Sequence, residues 1–141
     1  IRAHNGVDYA AKRGSPVRAT GDGTISYMGQ RGGCGKEILI KHSNEYSTRY
    51  CHLEKFQKNI KKGSKVEQAD VIGFVGSTGL ATGPHLHYEF KVGNKHTDPV
   101  KVKLPSAEPI SKNLKTSFDT LVLENKLLLK EFTKLLPNEN E

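Results

Sequence analysis

The chain has 141 residues, of which 35% are hydrophobic and 7% aromatic, with no Trp. This apolar content is enough for one modest core and excludes two. The 22 Lys and Arg residues against 15 Asp and Glu give a formal charge of +7. Such a charge suits an anionic wall polymer, nucleic acid or an anionic membrane surface, and does not choose among them.

The sequence contains no apolar run of the ~20 residues that a membrane-spanning helix needs. The chain starts at Ile1 without an initiator Met or a basic-then-apolar leader, so we expect a fragment or a processed piece. Its two cysteines, Cys34 and Cys51, are too few for a disulfide framework and lack zinc-finger spacing. The sequence leaves open whether they form one disulfide.

Residues 1–104 are rich in glycine and in short runs of β-favouring residues, which predicts short strands joined by tight turns. The apolar and β-branched runs at residues 38–40 and 48–50 flank a polar stretch at 43–45, and this arrangement predicts a β-hairpin. The lysine-rich stretch 55–65 is expected to be an exposed loop.

Two further strands are predicted before the end of this region. Residues 71–75 are apolar throughout and predict a short buried strand, whereas residues 85–90 alternate between polar and apolar before a Gly93-Asn94 turn. These patterns predict a mainly β structure.

The last part of the chain has a different pattern. Residues 105–112 contain Pro105 and Pro109 and are predicted to be a linker, followed by an amphipathic helix from about Leu114 to Leu136, ended by Pro137. Lys and Glu mix on its polar face, which favours packing against protein over a membrane surface. We therefore assign 1–104 to one domain and 105–141 to a linker and C-terminal helix.

Four histidines and one aspartate stand in chemically suggestive patterns. His4 and Asp8 are separated by a segment containing Gly6, so a backbone turn can bring both onto one point, and both are acceptable Zn²⁺ ligands. On a strand, His85 and His87 point to the same face. His52 gains interest only in combination with the others.

Together these residues form a plausible set for metal-assisted hydrolysis. A catalytic zinc site has three protein ligands and one open position. His4, Asp8 and one histidine of the pair at 85 and 87 can supply the ligands, while the other histidine of the pair and His52 remain for proton transfer and for stabilising transition-state charge. Spacing alone does not decide which histidine of the pair is the ligand.

Several motifs follow one another along the chain. They are His4-Asn5-Gly6-Val7-Asp8-Tyr9-Ala10-Ala11, Gly14-Ser15-Pro16-Val17, Gly21-Asp22-Gly23, Tyr50-Cys51-His52-Leu53, Gly76-Ser77-Thr78-Gly79-Leu80-Ala81-Thr82-Gly83-Pro84-His85-Leu86-His87-Tyr88-Glu89 and Asp98-Pro99. This order, which covers most of residues 1–100, resembles the lysostaphin-like (LytM-type) metallopeptidases that act on peptidoglycan.

This resemblance implies a compact antiparallel β fold with a substrate groove across one sheet. It assigns His4, Asp8 and His87 as ligands of one Zn²⁺ ion. It further implies that His85 is the general base and that His52 stabilises the oxyanion or the leaving group.

The loop between residues 77 and 84 is expected to form one wall of the groove, with Thr78, Gly79, Thr82 and Gly83 as groove residues. The resemblance also implies strands before the His4 motif that this chain lacks. We therefore expect an N-terminal segment or further domains of the same protein as partners. The terminal helix lies outside the resemblance.

The function implied by the resemblance is endopeptidase cleavage of peptidoglycan stem cross-links in cell-wall remodelling. The motif from Thr82 to Glu89 is most similar to that of Gram-negative envelope enzymes, which favours a D,D-endopeptidase acting on D-Ala to meso-diaminopimelate bridges. An exported protein of the periplasm or cell envelope is expected.

Two other functions compete with this one. The first is a non-catalytic LytM-type activator of cell-wall amidases, which the five intact positions argue against. The second is nucleic-acid binding, which the charge allows but which wants exposed aromatics among the lysines, and Phe56 is the only aromatic residue in the stretch 55–65. We therefore expect no nucleic-acid partner.

Overall fold

Antiparallel pairing dominates the structure, a computed structural model that describes residues 5–43, 45–101 and 119–128. It divides into two units, Ile1–Lys103 and Leu104–Glu141. The strands of the first unit are β1 (Val7–Ala10), β2 (Pro16–Arg18), β3 (Gly23–Arg31), β4 (Gly35–Lys41), β5 (Tyr46–Phe56), β6 (Lys65–Val66), β7 (Val71–Val75), β8 (His85–Val92) and β9 (Lys95–Thr97). A single turn of 3₁₀ helix, Gly32–Cys34, joins β3 to β4.

These strands belong to one sheet. Its main path runs β1-β8-β5-β4-β3-β6, while β7 pairs with β2 and β5, and β9 pairs with β8. The predicted hairpin is β4–β5, the predicted buried strand is β7, and the alternating segment is β8, which turns through residues 93–94 into β9. The prediction of a mainly antiparallel β fold is therefore confirmed.

The core lies along the apolar faces of the central strands. Tyr50, Ile38, Ile40, Leu53 and Ile72 are fully buried there. Because side chains alternate along a strand, burying Leu86, Tyr88 and Phe90 against this core directs the intervening residues of β8 to the opposite face.

Strand β5 carries a bulge that interrupts this alternation. Lys36 of β4 pairs with Leu53, and Ile38 pairs with Tyr50, so two residues of β5, Cys51 and His52, oppose the single residue Glu37. A bulge re-aims the side chains around it and is common beside functional sites. Here it changes the direction of His52.

The second unit is helical at residues 119–128, within the predicted helix. Leu121, Leu123, Leu127 and Leu128 are exposed on it. The remainder of the predicted helix and the linker at 105–112 lie outside the described residues. Within the described part of the chain, no helix is long and apolar enough to cross a membrane.

A half-buried hydroxyl cluster ties the core to the strand that carries the histidine pair. Thr20 Oγ1 lies 3.0 Å from the Tyr88 hydroxyl and 3.1 Å from the Tyr50 hydroxyl. Burial, with smaller contributions from Tyr50 and Tyr9, raises the pKa of Tyr88 to about 12, although the hydrogen bond with Thr20 opposes the rise.

This cluster predicts a specific alkaline loss of stability. Since folding favours the protonated Tyr88, its contribution is fully present below pH 10 and is lost as the pH rises from 10 to about 12. We expect the free energy of unfolding of the wild type to fall about 2–3 kcal/mol more than that of Tyr88→Phe across this window. Urea titrations at pH 9.5, 11 and 12 measure the difference, and parallel pH profiles for the two proteins would contradict it.

Candidate metal and catalytic site

Strand β8 presents three polar side chains on the face opposite the core. His85, His87 and Glu89 alternate with Leu86 and Tyr88 and line an open cavity of about 520 Å³. The alternation of β8 therefore places both histidines of the pair in one cavity, as their spacing predicted.

Strand β1 brings Asp8 to the same place, since Asp8 pairs with His87 in the antiparallel register of β1 and β8. Asp8 Oδ1 lies 2.7 Å from His87 Nδ1 and 3.8 Å from His85 Nε2. A carboxylate oxygen and a ring nitrogen thus meet at the wall of an open cavity. His4, the third predicted ligand, lies outside the described residues.

Gly6 allows this close packing of β1 on β8. A Cβ atom at Gly6 would lie 2.4 Å from the carbonyl oxygen of Tyr88 and 2.9 Å from Cε1 of the His87 ring. No side chain fits at such a distance from backbone. Gly6, which lies between the predicted ligands His4 and Asp8, is therefore required for β1 to pack against the ring of the predicted ligand His87.

His52 reaches the cavity because of the bulge. Its φ of 62° is in the left-handed region, which residues with a Cβ seldom adopt and which is often found at functional sites. Its ring centroid lies 4.7 Å from that of His85 and 6.0 Å from that of His87. The bulge and the positive φ thus bring a third imidazole to the pair.

The ring of His52 is oriented by a backbone carbonyl. Nδ1 donates to the carbonyl oxygen of Thr78 at 2.7 Å, so the neutral ring presents the lone pair of Nε2. Burial lowers the pKa of His52, and the nearby His85 and His87 lower it further, although the hydrogen bond to Thr78 opposes this. The neutral ring therefore accepts hydrogen bonds at Nε2, while donation to an oxyanion requires its protonated form.

His85 has the same arrangement. Its Nδ1 donates to the carbonyl oxygen of Gly83 at 2.8 Å, which leaves the lone pair of Nε2 in the neutral ring. Because Nε2 is the atom 3.8 Å from Asp8 Oδ1, this basic nitrogen lies beside the Asp8–His87 pair. A proton acceptor is thus placed next to two candidate ligands.

His87 lies between two carboxylates. Nε2 donates to Glu89 Oε1 at 3.2 Å and Nδ1 to Asp8 Oδ1. The hydrogen bond to Glu89 raises the pKa of His87, burial lowers it, and Asp8 raises it again, with a net rise. Burial raises the pKa of Glu89, but His87 and the positive charges of Arg49, His96 and Lys91 outweigh it and lower the pKa overall.

Two loops form one side of the cavity. Leu80 N donates to Gly33 O at 2.8 Å, which joins the loop 77–84 to the 3₁₀ turn Gly32–Cys34. Thr78 supports this junction, because its hydroxyl accepts from Lys36 N and donates to Leu53 O, while its carbonyl holds His52.

Of the predicted groove residues, Thr78 and Gly79 form the junction, Gly83 orients His85, and Thr82 is exposed. Sequence reasoning missed other residues that line the cavity. These are Asn5, Gly33, Cys34, Arg49, Leu80 and Glu89. A signal existed for Glu89, which lies two residues after His87 and so shares its face of the strand.

Another cluster of potential ligand atoms contains Cys34, Glu37 and Cys51. The two cysteines form a disulfide, so they offer no thiolates. Glu37 is fully buried and paired with both Arg31 and Arg49. The chemistry of this cluster is therefore not that of a metal site, and the Asp8–His87 pair remains the better candidate.

The disulfide joins the 3₁₀ turn beside the cavity to the bulge next to His52. It closes a loop with a sequence separation of 17 residues, for which loss of unfolded-state entropy amounts to about 3 kcal/mol. We expect the double variant Cys34→Ala/Cys51→Ala to have a free energy of unfolding about 2–4 kcal/mol lower than that of the wild type. Urea denaturation measures this. A double variant as stable as the wild type, or two free thiols titrated in the unreduced wild type, would refute the expectation.

The fold and this cavity define a metallopeptidase type of site: an antiparallel sheet that carries a carboxylate and paired imidazoles on one face. Residues 2–99 match peptidase family M23, and the chain belongs to this family. The resemblance predicted from the motifs is thereby confirmed. Peptidases of this family are metal-dependent.

Named relatives agree with the assignment. The DD-carboxypeptidase/endopeptidase Mpg of Neisseria meningitidis is 48% identical over 110 residues, which cover 76% of this chain and 24% of Mpg. The peptidoglycan DD-endopeptidase ShyC of Vibrio cholerae is 39% identical over 136 residues, covering 96% of this chain and 31% of ShyC. The chain thus spans about a quarter to a third of the length of these relatives.

A solved structure shows the same fold. A zinc-containing peptidase from Vibrio cholerae superimposes with a TM-score of 0.68 at 42% identity, covering 72% of this chain and 31% of the other.

Proposed function

We propose that this chain is the catalytic domain of a zinc endopeptidase that hydrolyses peptide cross-links of bacterial peptidoglycan. The observation that carries the proposal is the position of His85 Nε2, 3.8 Å from Asp8 Oδ1, with Nδ1 tied to the Gly83 carbonyl. A basic nitrogen beside candidate metal ligands is the arrangement that hydrolysis of an amide requires.

The donor set fits zinc. A carboxylate oxygen of Asp8 and Nδ1 of His87 lie together at the cavity wall, and imidazole with carboxylate suits this borderline ion. With His4 they make three protein ligands, one ion per domain, which matches the ligand number of catalytic zinc sites. When bound, zinc lowers the pKa of water and acts as a Lewis acid toward the scissile carbonyl.

The protein's own residues carry the proton transfers. His85 Nε2 takes the proton of the attacking water and returns it to the leaving amine, and Nδ1 stays bonded to the backbone throughout. His52, once protonated, donates from Nε2 to the developing oxyanion or the leaving group. Thr78 keeps its ring in place for this step.

Substrate and location are proposed from the relatives. Mpg and ShyC are named for DD-endopeptidase activity, and we assign to this chain the same activity, with D-Ala to meso-diaminopimelate bridges as its substrate. That substrate supports a location in the periplasm or cell envelope. Because these relatives are about three times as long as this chain, we also propose partner segments of the same protein beside the domain 1–104, with 105–141 as linker and helix.

Digestion of purified peptidoglycan tests the proposal. The zinc-loaded chain is incubated with sacculi cross-linked through meso-diaminopimelate, and the soluble fragments are identified by mass spectrometry. We expect new D-Ala carboxyl and diaminopimelate amine ends, absent when His85→Ala is used instead. Bound zinc without any released fragment would reject endopeptidase activity of this chain, and failure to bind zinc would favour the amidase-activator function.

A further inference from the structure

Glu89 is a buried carboxylate that contacts a predicted metal ligand. Only 6% of its surface is exposed, and its Oε1 accepts a hydrogen bond from His87 Nε2 at 3.2 Å. Burying a carboxylate is costly unless it is paired and hydrogen-bonded. Its place in the cavity therefore calls for an explanation beyond packing.

The two oxygens of Glu89 have different surroundings. Oε2 faces the cations Arg49, with Nη1 at 3.6 Å, and Lys91, with Nζ at 3.9 Å, and His96 Nδ1 lies 3.4 Å away. Within the described residues, Oε2 forms ion pairs but no direct hydrogen bond. The cations thus hold the carboxylate on one side and leave Oε1 directed at His87.

Arg49 is itself fixed from behind. Its guanidinium binds the fully buried Glu37 through Nε and Nη2, and Glu37 also binds Arg31. Arg49 pairs with Glu89 across β5 and β8, so the register of two central strands sets the position of the carboxylate. Arg49 is therefore held beside Oε2 of Glu89 by both strands.

We propose that Glu89 is a positioning residue for His87, whose ring it orients so that Nδ1 faces Asp8 and the metal. Accepting the Nε2 proton fixes both the tautomer and the rotation of the imidazole, and it raises the basicity of the ligating nitrogen. Strand β1 packs closely against this ring at Gly6, where a Cβ would lie 2.9 Å from Cε1, and Glu89 adds a hydrogen bond to the same ring. The inference rests on the proposed zinc site.

The competing explanation is that Glu89 only neutralises Arg49. Glu37 provides the matched control, because it is also a buried carboxylate bound to the same guanidinium but has no hydrogen bond or ion pair with His87 among the described residues. Glu37→Gln and Glu89→Gln remove the same charge from the same network. Only the second alters the partner of the His87 ring.

Metal affinity, measured in the full chain by competition with a chromophoric chelator, tests the proposal without reference to catalysis. We expect Glu89→Gln to weaken Zn²⁺ binding about 10-fold and Glu89→Ala up to about 100-fold, with Glu37→Gln close to wild type. Cobalt-substituted protein should show a shifted visible absorption spectrum in the Glu89 variants alone. Circular dichroism confirms folding, and the isosteric Glu89→Gln serves if Glu89→Ala does not fold.

Two results would overturn the inference. Unchanged zinc affinity and an unchanged cobalt spectrum in Glu89→Gln would show that His87 does not need the carboxylate, and equal losses in Glu37→Gln and Glu89→Gln would assign the effect to Arg49. In either case the wild type still binds zinc and the proposed function stands. A wild type that binds no zinc refutes both.

Discussion

Replacing His85 by alanine is expected to lower kcat/KM on a cross-linked muropeptide by about 10²–10⁴-fold while zinc content stays at the wild-type level. The reason is that Nε2 of His85 lies beside the Asp8–His87 pair but is assigned to proton transfer. Replacing His87 should remove zinc and activity together, because its Nδ1 is paired with Asp8 Oδ1 at 2.7 Å. Elemental analysis of purified protein and steady-state kinetics measure the two properties separately.

The two variants control for one another, since they remove the same imidazole from positions two residues apart on one strand face. If zinc survives in His87→Ala and is lost in His85→Ala, the roles within the pair are reversed. If both variants keep zinc, neither histidine is an essential ligand and the site must be assigned elsewhere.

Replacing Gly79 by alanine is expected to be the most damaging small substitution in the cavity wall. Gly79 has a φ of +75°, and a Cβ there would lie 2.4 Å from Gly33 O and from Gly35 N. These are backbone atoms, so the two loops must separate. We expect a loss of more than about 3 kcal/mol in the free energy of unfolding, or a loop that undocks and takes Thr78 away from His52.

Gly32→Ala is the matched control for this prediction. Gly32 lies in the facing loop and also has a positive φ, +53°, but a Cβ there meets nothing within 4 Å. Gly32→Ala should lower the free energy of unfolding by only about 1 kcal/mol, which is the cost of the left-handed conformation for a residue with a Cβ. Chemical denaturation of both variants measures the difference, and similar losses would show that backbone conformation, and not the close approach of the loops, is what Gly79 provides.

Sequence patterns predicted much of the sheet for local physical reasons. The hairpin of β4 and β5 followed from two β-favouring runs around a polar turn, and β7 from an unbroken apolar segment. The shared face of His85 and His87 followed from the two-residue period of a strand, since Leu86 between them packs against the core. The assignment of these residues to metal and base stays a prediction.

Other features depended on contacts between distant segments. The pairing of Asp8 with His87 requires β1 to align beside β8, across 79 residues of chain, and no local pattern specifies that register. The direction of His52 could not be predicted from the local sequence either, because in a regular strand its side chain would point to the face opposite that of Cys51. The bulge opposite Glu37 and the positive φ of His52 reverse that expectation.

The sequence by itself determined the family, the antiparallel β character and the residue types of the site, because motifs and alternation are properties of neighbouring positions. Only the tertiary structure decided that Cys34 joins Cys51, that Glu89 contacts His87, and that Arg49 supports Glu89 from the next strand. The physical reason is that burial, pairing and charge compensation arise between strands far apart in the chain. Their register is set by the whole sheet and its core.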